Sequence, residues 1–230
     1  LKLTDTGQVQ WAERLGGPAA DAPRALVVQG SSIYVGGSFY GPSTTYGGLV
    51  LTNAEPTGFT YDDGFVLKLT DVGTGPRADW AQRLGGVLTD NVWALAVQGT
   101  QVYIAGRFAT GAASFGSQQV AALGMTDSFV AKLSDDGASS RFVWVQQAGS
   151  QELDAALALA VHGSQVYVAG AYNTVMQLGT ITLGAYSFDT SYDGFVAQLT
   201  DAGASASWTW AQRLGYRGSD EVFALLATPT

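Results

Sequence analysis

Seven aspartates return at matched intervals. Asp21, Asp90, Asp154 and Asp220 are 69, 64 and 66 residues apart, and Asp63, Asp127 and Asp193 are 64 and 66 apart. Carboxylates in such numbers could ligate calcium, which takes six to eight oxygens clustered around one ion. Only Asp62-Asp63 and Asp135-Asp136 place two aspartates side by side, and no Asp-x-Asp-x-Asp-Gly run occurs. These four residues are therefore the weak calcium candidates, and no other cofactor is indicated. A carboxylate present once in every repeat reads better as the cap of a turn or the holder of a strand entrance than as an active site. A glycosidase needs two facing carboxyls. Nothing singles out a pair, although Glu55, Asp79, Glu152, Asp189 and Tyr192 break the repeat. No residue is assigned a catalytic role.

Three further sets could do chemistry. Arg14, Arg83 and Arg213 recur beside Leu-Gly, with Gln147 in the fourth copy. They read as partners of the aspartate that follows each Gly-Gly, tying one unit to the next, rather than as a carboxylate-binding ring. His162 is the only histidine, aligned with Gln29 and Gln98, and reads as a polar turn residue. With no cysteine, a disulfide, a thiolate zinc site and a cysteine nucleophile are excluded. Tyr40, Tyr46, Phe59, Tyr61, Tyr186, Phe188 and Tyr192 lie in the longest connections, where they either stack on sugar rings or cover the ends of the core. A net charge of −8 without a basic cluster argues against nucleic acid and anionic membrane. No apolar run is long enough for a membrane-spanning helix.

The elements that position these residues follow from the repeat, which is sought first because missing it miscalls the fold. Trp11, Trp80, Trp144 and Trp210 keep the intervals of the first aspartate series, and Tyr34, Tyr103 and Tyr167 keep 69 and 64. Each unit predicts four strands rich in β-branched and aromatic residues. The first is 93–98 (also 25–29 and 157–162), the second 101–108 (32–39 and 165–172). The third is 128–134 (64–70 and 194–200), the fourth 142–147 (79–84 and 209–214). Gln-Gly-Thr-Gln at 98–101 and its copies predict tight hairpins with glycine at positive φ. The connections 40–63, 109–127 and 173–193 vary in length, and each has room for a short extra strand near Phe115-Gly116 or Leu178-Gly179. Alternation puts Phe129, Ala131 and Leu133 on one face of the third strand, Val130 and Lys132 on the other. A sheet apolar on both faces needs a neighbour on each side.

The complete units are 16–84, 85–148 and 149–214, with the end of another at 1–15 and the start of another at 215–230. A four-stranded antiparallel unit repeated radially is a β-propeller blade. The expectation is an all-β chain of such blades, partial or part of a larger ring. Unpaired edges invite pairing, so further blades of the same protein, or another chain, are expected to cover the ends.

The pattern Ala-Leu-x-Val-x-Gly-x-x-Val-Tyr-x-x-Gly-x-Phe, then Asp-x-Phe-Val-Ala-Lys-Leu and a Trp, resembles the SBBP-type β-propeller repeat. It is carried by Asp90, Ala94, Leu95, Gly99, Val102, Tyr103, Gly106, Phe108, Asp127, Phe129 to Leu133, Gly137, Trp144 and their copies. The resemblance implies a secreted or cell-surface bacterial scaffold, exported by a type IX route. The family name implies seven blades; this chain holds just over three. Thr70-Asp71-Val72-Gly73 is also similar to the Asp-box of sialidase-like propellers, but no residue separates Thr70 from Asp71 and six lie between Gly73 and Trp80. It reads as convergent turn chemistry. The expected role is non-catalytic: structural, adhesive or protein-binding. A lectin-like propeller binding glycan, and a subunit of an extracellular filament or multi-chain assembly, are the alternatives.

Overall fold

The computed structural model describes residues 1–56, 61–186 and 191–228. All regular structure among them is β. Three units have the same plan. In the first, β3 (Asp21–Gln29), β4 (Ser32–Phe39), β7 (Asp63–Asp71) and β8 (Pro76–Gly85) form an antiparallel meander, with the hairpin β5 (Ser43–Tyr46) and β6 (Leu49–Thr52) inserted at its middle. The second consists of β9 (Asn91–Gln98), β10 (Gln101–Ala109), β13 (Thr126–Asp135) and β14 (Ser140–Ala148), interrupted by β11 (Ala112–Phe115) and β12 (Gln118–Ala121). The third has β15 (Ala155–His162), β16 (Gln165–Tyr172), β19 (Asp193–Asp201) and β20 (Ala206–Leu214), interrupted by β17 (Met176–Leu178) and β18 (Ile181–Leu183). A fragment, β1 (Lys2–Leu3) with β2 (Val9–Trp11), precedes them.

The repeat strands thus lie where the sequence places them, extended by a few residues. Each insertion holds two short strands rather than one. The hairpin glycines Gly30, Gly99 and Gly163 take φ of 61°, 62° and 59°, the left-handed conformation a two-residue turn requires. Residues 222–225, within the start of the further unit expected at 215–230, are not in regular structure. Among the described residues no sheet closes on itself and the units form no closed ring. The all-β class therefore holds at the level of antiparallel four-stranded units. No helix among the described residues is long and apolar enough to cross a membrane.

Period-two alternation explains the packing. Val66 and Trp80 of the first unit meet Val92, Ile104, Phe129 and Leu133 of the second in one apolar layer. Val130 and Trp144, from the opposite face of the second unit, meet Leu159, Val168 and Phe195 of the third. Both faces of the second unit's central strands, β10 and β13, are therefore inside. The hairpins reinforce this stacking at the outer edge: β11 pairs with β8 of the preceding unit while β12 lies against β14 of its own.

Each first strand carries a bulge at the same place. Pairing passes from Pro23 to Ala25, from Val92 to Ala94 and from Ala156 to Ala158, leaving Arg24, Trp93 and Leu157 unpaired. A bulge re-aims the extra side chain and bends the strand. Opposite it stand Gly37, Gly106 and Gly170, where a Cβ would overlap the carbonyl oxygens of Ala22, Asn91 and Ala155. Gly106→Ala should therefore cost about 2–3 kcal/mol of stability, the usual penalty of overpacking, as measured by urea unfolding. A loss below about 0.5 kcal/mol would show that the bulge does not need the close approach.

Candidate functional site

The repeated aspartates are consumed by structure. Asp90, buried where β9 begins, accepts from the Gly86 N–H at 2.7 Å and the Ala109 N–H at 3.2 Å. Asp21 accepts from the Gly17 N–H at 2.7 Å, the Thr44 hydroxyl at 2.8 Å and the Tyr46 hydroxyl at 3.0 Å. Asp154 and Asp220 likewise accept from the N–H groups of Ser150 and Tyr216. Gly16, Gly85 and Gly215 precede three of these turns at φ of 132°, 127° and 125°, where a Cβ would meet the carboxylate. The second series holds the exits of the long connections: Asp63, Asp127 and Asp193 accept from the N–H groups of Ala54, Leu123 and Tyr186.

The arginine assignment needs correction. Arg83 bonds Asp63 at 3.0 Å, the neighbour across β7 and β8 of its own sheet, and not Asp90. Gln147 reaches Asp127 in the same way. Arg14 donates to the Gly17 carbonyl, and Arg213 lies 5.2 Å from the centre of the Tyr186 ring. The pair therefore closes a sheet internally because strands three and four are adjacent.

Unit-to-unit bonding falls to a third series, in the Ser/Thr-Asp-x-Gly turns. Besides capping its own turn through the Gly137 N–H at 3.0 Å, Asp135 accepts from three strands of the preceding unit. The donors are Tyr34 of β4 at 2.7 Å, Lys68 of β7 at 2.6 Å and Trp80 of β8 at 3.0 Å. Asp201 repeats the arrangement with Tyr103 at 2.7 Å, Lys132 at 2.6 Å and Trp144 at 3.1 Å. Asp71 meets Lys2 and Trp11. Burial pushes Asp135 and Asp201 up, but the lysine, tyrosine, tryptophan and glycine donors outweigh it and hold both below the usual carboxylate range.

Of the calcium candidates, Asp63, Asp135 and Asp136 are tied to cations, the last to Arg141 at 3.5 Å. Asp62 accepts from the Ser38 hydroxyl at 3.3 Å, and Asp136 from the Ser134 hydroxyl at 2.9 Å. Among the described residues no three acidic, histidine or cysteine side chains gather as a metal site. Tyr46, expected in a ligand-facing loop, is buried in β5 against Phe65. Tyr40 and Tyr61 are exposed, while Tyr186 stacks on Tyr216 with ring centres 4.2 Å apart. Phe59, Phe188 and Asp189 lie outside the described residues.

Tyr192 lines a pocket with other residues that depart from the repeat. A cavity of about 270 Å³ is lined by Trp93, Arg107, Asp154, Tyr192, Glu221 and Phe223, among others. A groove of about 330 Å³ continues from it along Arg24, Trp93, Leu157 and Phe223. Arg24, Trp93 and Leu157 occupy the bulge position in successive units, and Phe223 falls in the same column of the sequence. Arg24 stacks 4.0 Å from the centre of the Trp93 ring, a cation–π contact. The buried Trp93 Nε1 has no hydrogen-bond partner among the described residues. Arg107 donates to Asn91 at 3.1 Å; burial lowers its pKa, yet a guanidinium stays charged. No described carboxylate lies within ion-pair distance of Arg24 or Arg107. The cavity can thus donate hydrogen bonds and stack a ring. Of its two carboxyls, Asp154 is buried with both oxygens hydrogen-bonded to Ser150 and Asn173, and Glu221 is exposed. Sequence reasoning singled out Tyr192 but not Arg24, Trp93 or Arg107. Their signal is departure from the repeat, Arg/Trp/Leu/Phe in one column and Ser38/Arg107/Ala171 in another.

No protein-family model matches the chain, and no curated protein matches it.

Two outcomes follow. Asp135→Ala strands a buried ammonium and should cost about 3–5 kcal/mol in urea unfolding, with Lys68→Met added to it recovering part of the loss; full stability in the single variant would refute the clamp. The second concerns pH. Burial pushes Asp90 and Asp154 up to about 7 and Asp63 to about 6. Their contribution is complete below the ordinary carboxyl range and is lost as pH rises through those values. Asp135 and Asp201, held low, contribute above that range and lose it in strong acid. Scanning calorimetry should give a higher melting temperature at about pH 5 than at about pH 8, with a smaller difference in Asp90→Asn/Asp154→Asn. Equal melting temperatures in the parent protein would contradict it.

Proposed function

We propose that the chain is a non-catalytic scaffold of β-propeller blades, carried on a secreted or surface-exposed bacterial protein and acting by adhesion or protein binding. The observation that carries this reading is the fate of the repeated polar residues. Asp90, Asp135, Asp201 and their copies are committed to turns and unit-to-unit bonds, so the repetition serves construction and the variable surfaces are left for recognition. The stacked four-stranded units and the resemblance to SBBP repeats support the propeller and the extracellular setting, including type IX export. Fold-level likeness alone does not assign an activity.

A second reading, lectin-like glycan binding, is favoured by the cavity at Trp93, Arg107 and Tyr192. An aromatic ring beside a guanidinium that no described carboxylate pairs suits a sugar bearing a carboxylate. Calorimetric titration with neutral and acidic oligosaccharides decides between them. No binding, together with no hydrolysis of chromogenic glycosides, is expected for the scaffold. Binding of an acidic sugar that falls at least tenfold in Arg107→Ala would replace the scaffold reading with the lectin, and turnover would overturn both.

A further inference from the structure

Two guanidiniums from different units converge on one indole. Arg24 leaves β3 at the bulge and stacks 4.0 Å from the centre of the Trp93 ring. Arg107 of β10 lines the cavity that Trp93 walls, and its Nε donates to Asn91 at 3.1 Å. The two lie close enough for Arg24 to disfavour the charge on Arg107. No described carboxylate pairs with either, in a chain whose 19 acidic residues outnumber 11 basic ones. Asp154 in the cavity lining is saturated by Ser150 and Asn173, and the exposed Glu221 is one carboxyl against two cations. A second signal marks a missing acceptor. The Trp93 Nε1 is buried with no hydrogen-bond partner among the described residues, a condition that costs about 1–3 kcal/mol. The rest of the wall is apolar, from Leu153, Leu157 and Ala171, with the Tyr192 ring beside them. At about 270 Å³ the cavity is smaller than the about 300–1,000 Å³ usual for drug-sized ligands. It has room for one residue-sized group, and it continues into the groove past Trp93, Leu157 and Arg24.

We propose that this cavity captures the C-terminal residue of a partner polypeptide, with an apolar side chain beside its free carboxylate. The carboxylate meets the Nη fork of Arg107, whose planar geometry matches it bidentately. The apolar side chain lies against Leu153, Leu157 and Ala171. The preceding residues leave through the groove, where Arg24 on Trp93 is placed to donate to their carbonyls. A chain terminus is what joins a carboxylate directly to an apolar group. An aspartate or glutamate side chain would bring the charge and leave the apolar wall bare. A sugar acid would press hydroxyls against Leu153 and Leu157, where they lose water without gaining a partner. Terminal-carboxylate capture is an established mode of peptide recognition. Trp93, Arg107, Leu153, Leu157, Ala171 and Tyr192 all belong to the second and third units, so the core of the site is built within complete units.

The inference rests on the protein-binding reading and names the partner's chemistry. Fluorescence polarisation of the 230-residue chain tests it, against N-terminally labelled octapeptides that carry each amino-acid type in turn at the C-terminus. Peptides ending in an apolar residue should bind. Amidation of that terminus should weaken them at least about tenfold, the loss of one charge-assisted hydrogen bond. Arg107→Ala should bind acid and amide alike, and Arg107→Lys should restore part of the difference, each variant first checked for folding by circular dichroism. Equal binding of acid and amide by the parent chain, a preference that survives Arg107→Ala, or no binding by any peptide of the series would overturn the proposal. Peptide binding indifferent to Arg107 overturns this site while the protein-binding reading stands at another surface. Binding of an acidic oligosaccharide without any peptide gives the cavity to the lectin, so the two readings fail separately.

Discussion

A buried carboxylate that takes hydrogen bonds from three strands of the neighbouring sheet sets the geometry of this molecule. Asp135 is reached by Tyr34, Lys68 and Trp80 from β4, β7 and β8. Because these donors come from three different strands, only one angle and one offset between the two sheets satisfies them together. The apolar layers on either side supply most of the driving force, but burial is non-directional, and two apolar sheets can slide or rotate at modest cost. A buried ion pair adds little net stability, since desolvation offsets its Coulombic gain. Its worth here is selection of one arrangement, enforced by the cost of leaving Lys68 or Asp135 unpaired.

The same reasoning explains why the other aspartates sit where they do. A chain that builds sheet after sheet must turn sharply between the fourth strand of one unit and the first of the next. At Gly85-Gly86 the backbone takes φ 127° and then presents an N–H that Asp90 caps. The capping carboxylate is buried, which pushes its pKa up to about 7. Capping by Asp90 and Asp154 and clamping by Asp135 and Asp201 thus shift these carboxyls in opposite directions, because only the clamp brings a lysine.

Much of this was legible in the sequence. The matched intervals of Trp80, Asp90 and Tyr103 with their copies place the strands, and glycine at 30, 99 and 163 places the hairpins. What was hidden was the partner of each residue across units. Spacing reveals that Lys68 and Asp135 both recur, but both repeat at the same interval, so periodicity cannot tell whether a pair lies within a unit or between two. Arg83 shows the hazard: it was matched with Asp90 by proximity in sequence, whereas adjacency of β7 and β8 delivers it to Asp63. Trp93 was hidden for a different reason, as only the bulge turns it out of the ladder and toward the groove.

Positions that depart from the repeat therefore carry different information from those that keep it. Arg24, Trp93 and Arg107 occupy columns where construction makes no demand, since the third unit has Leu157 and Ala171 there. Gln198 stands in a column where construction does make one. A lysine 7% exposed, as Gln198 is, is tolerable only with a carboxylate against it, because an unpaired buried ammonium is strongly unfavourable. Glutamine keeps the donor and removes the charge, so the column is filled without a counter-charge. The third unit thus meets the same packing demand as the first two without an ion pair.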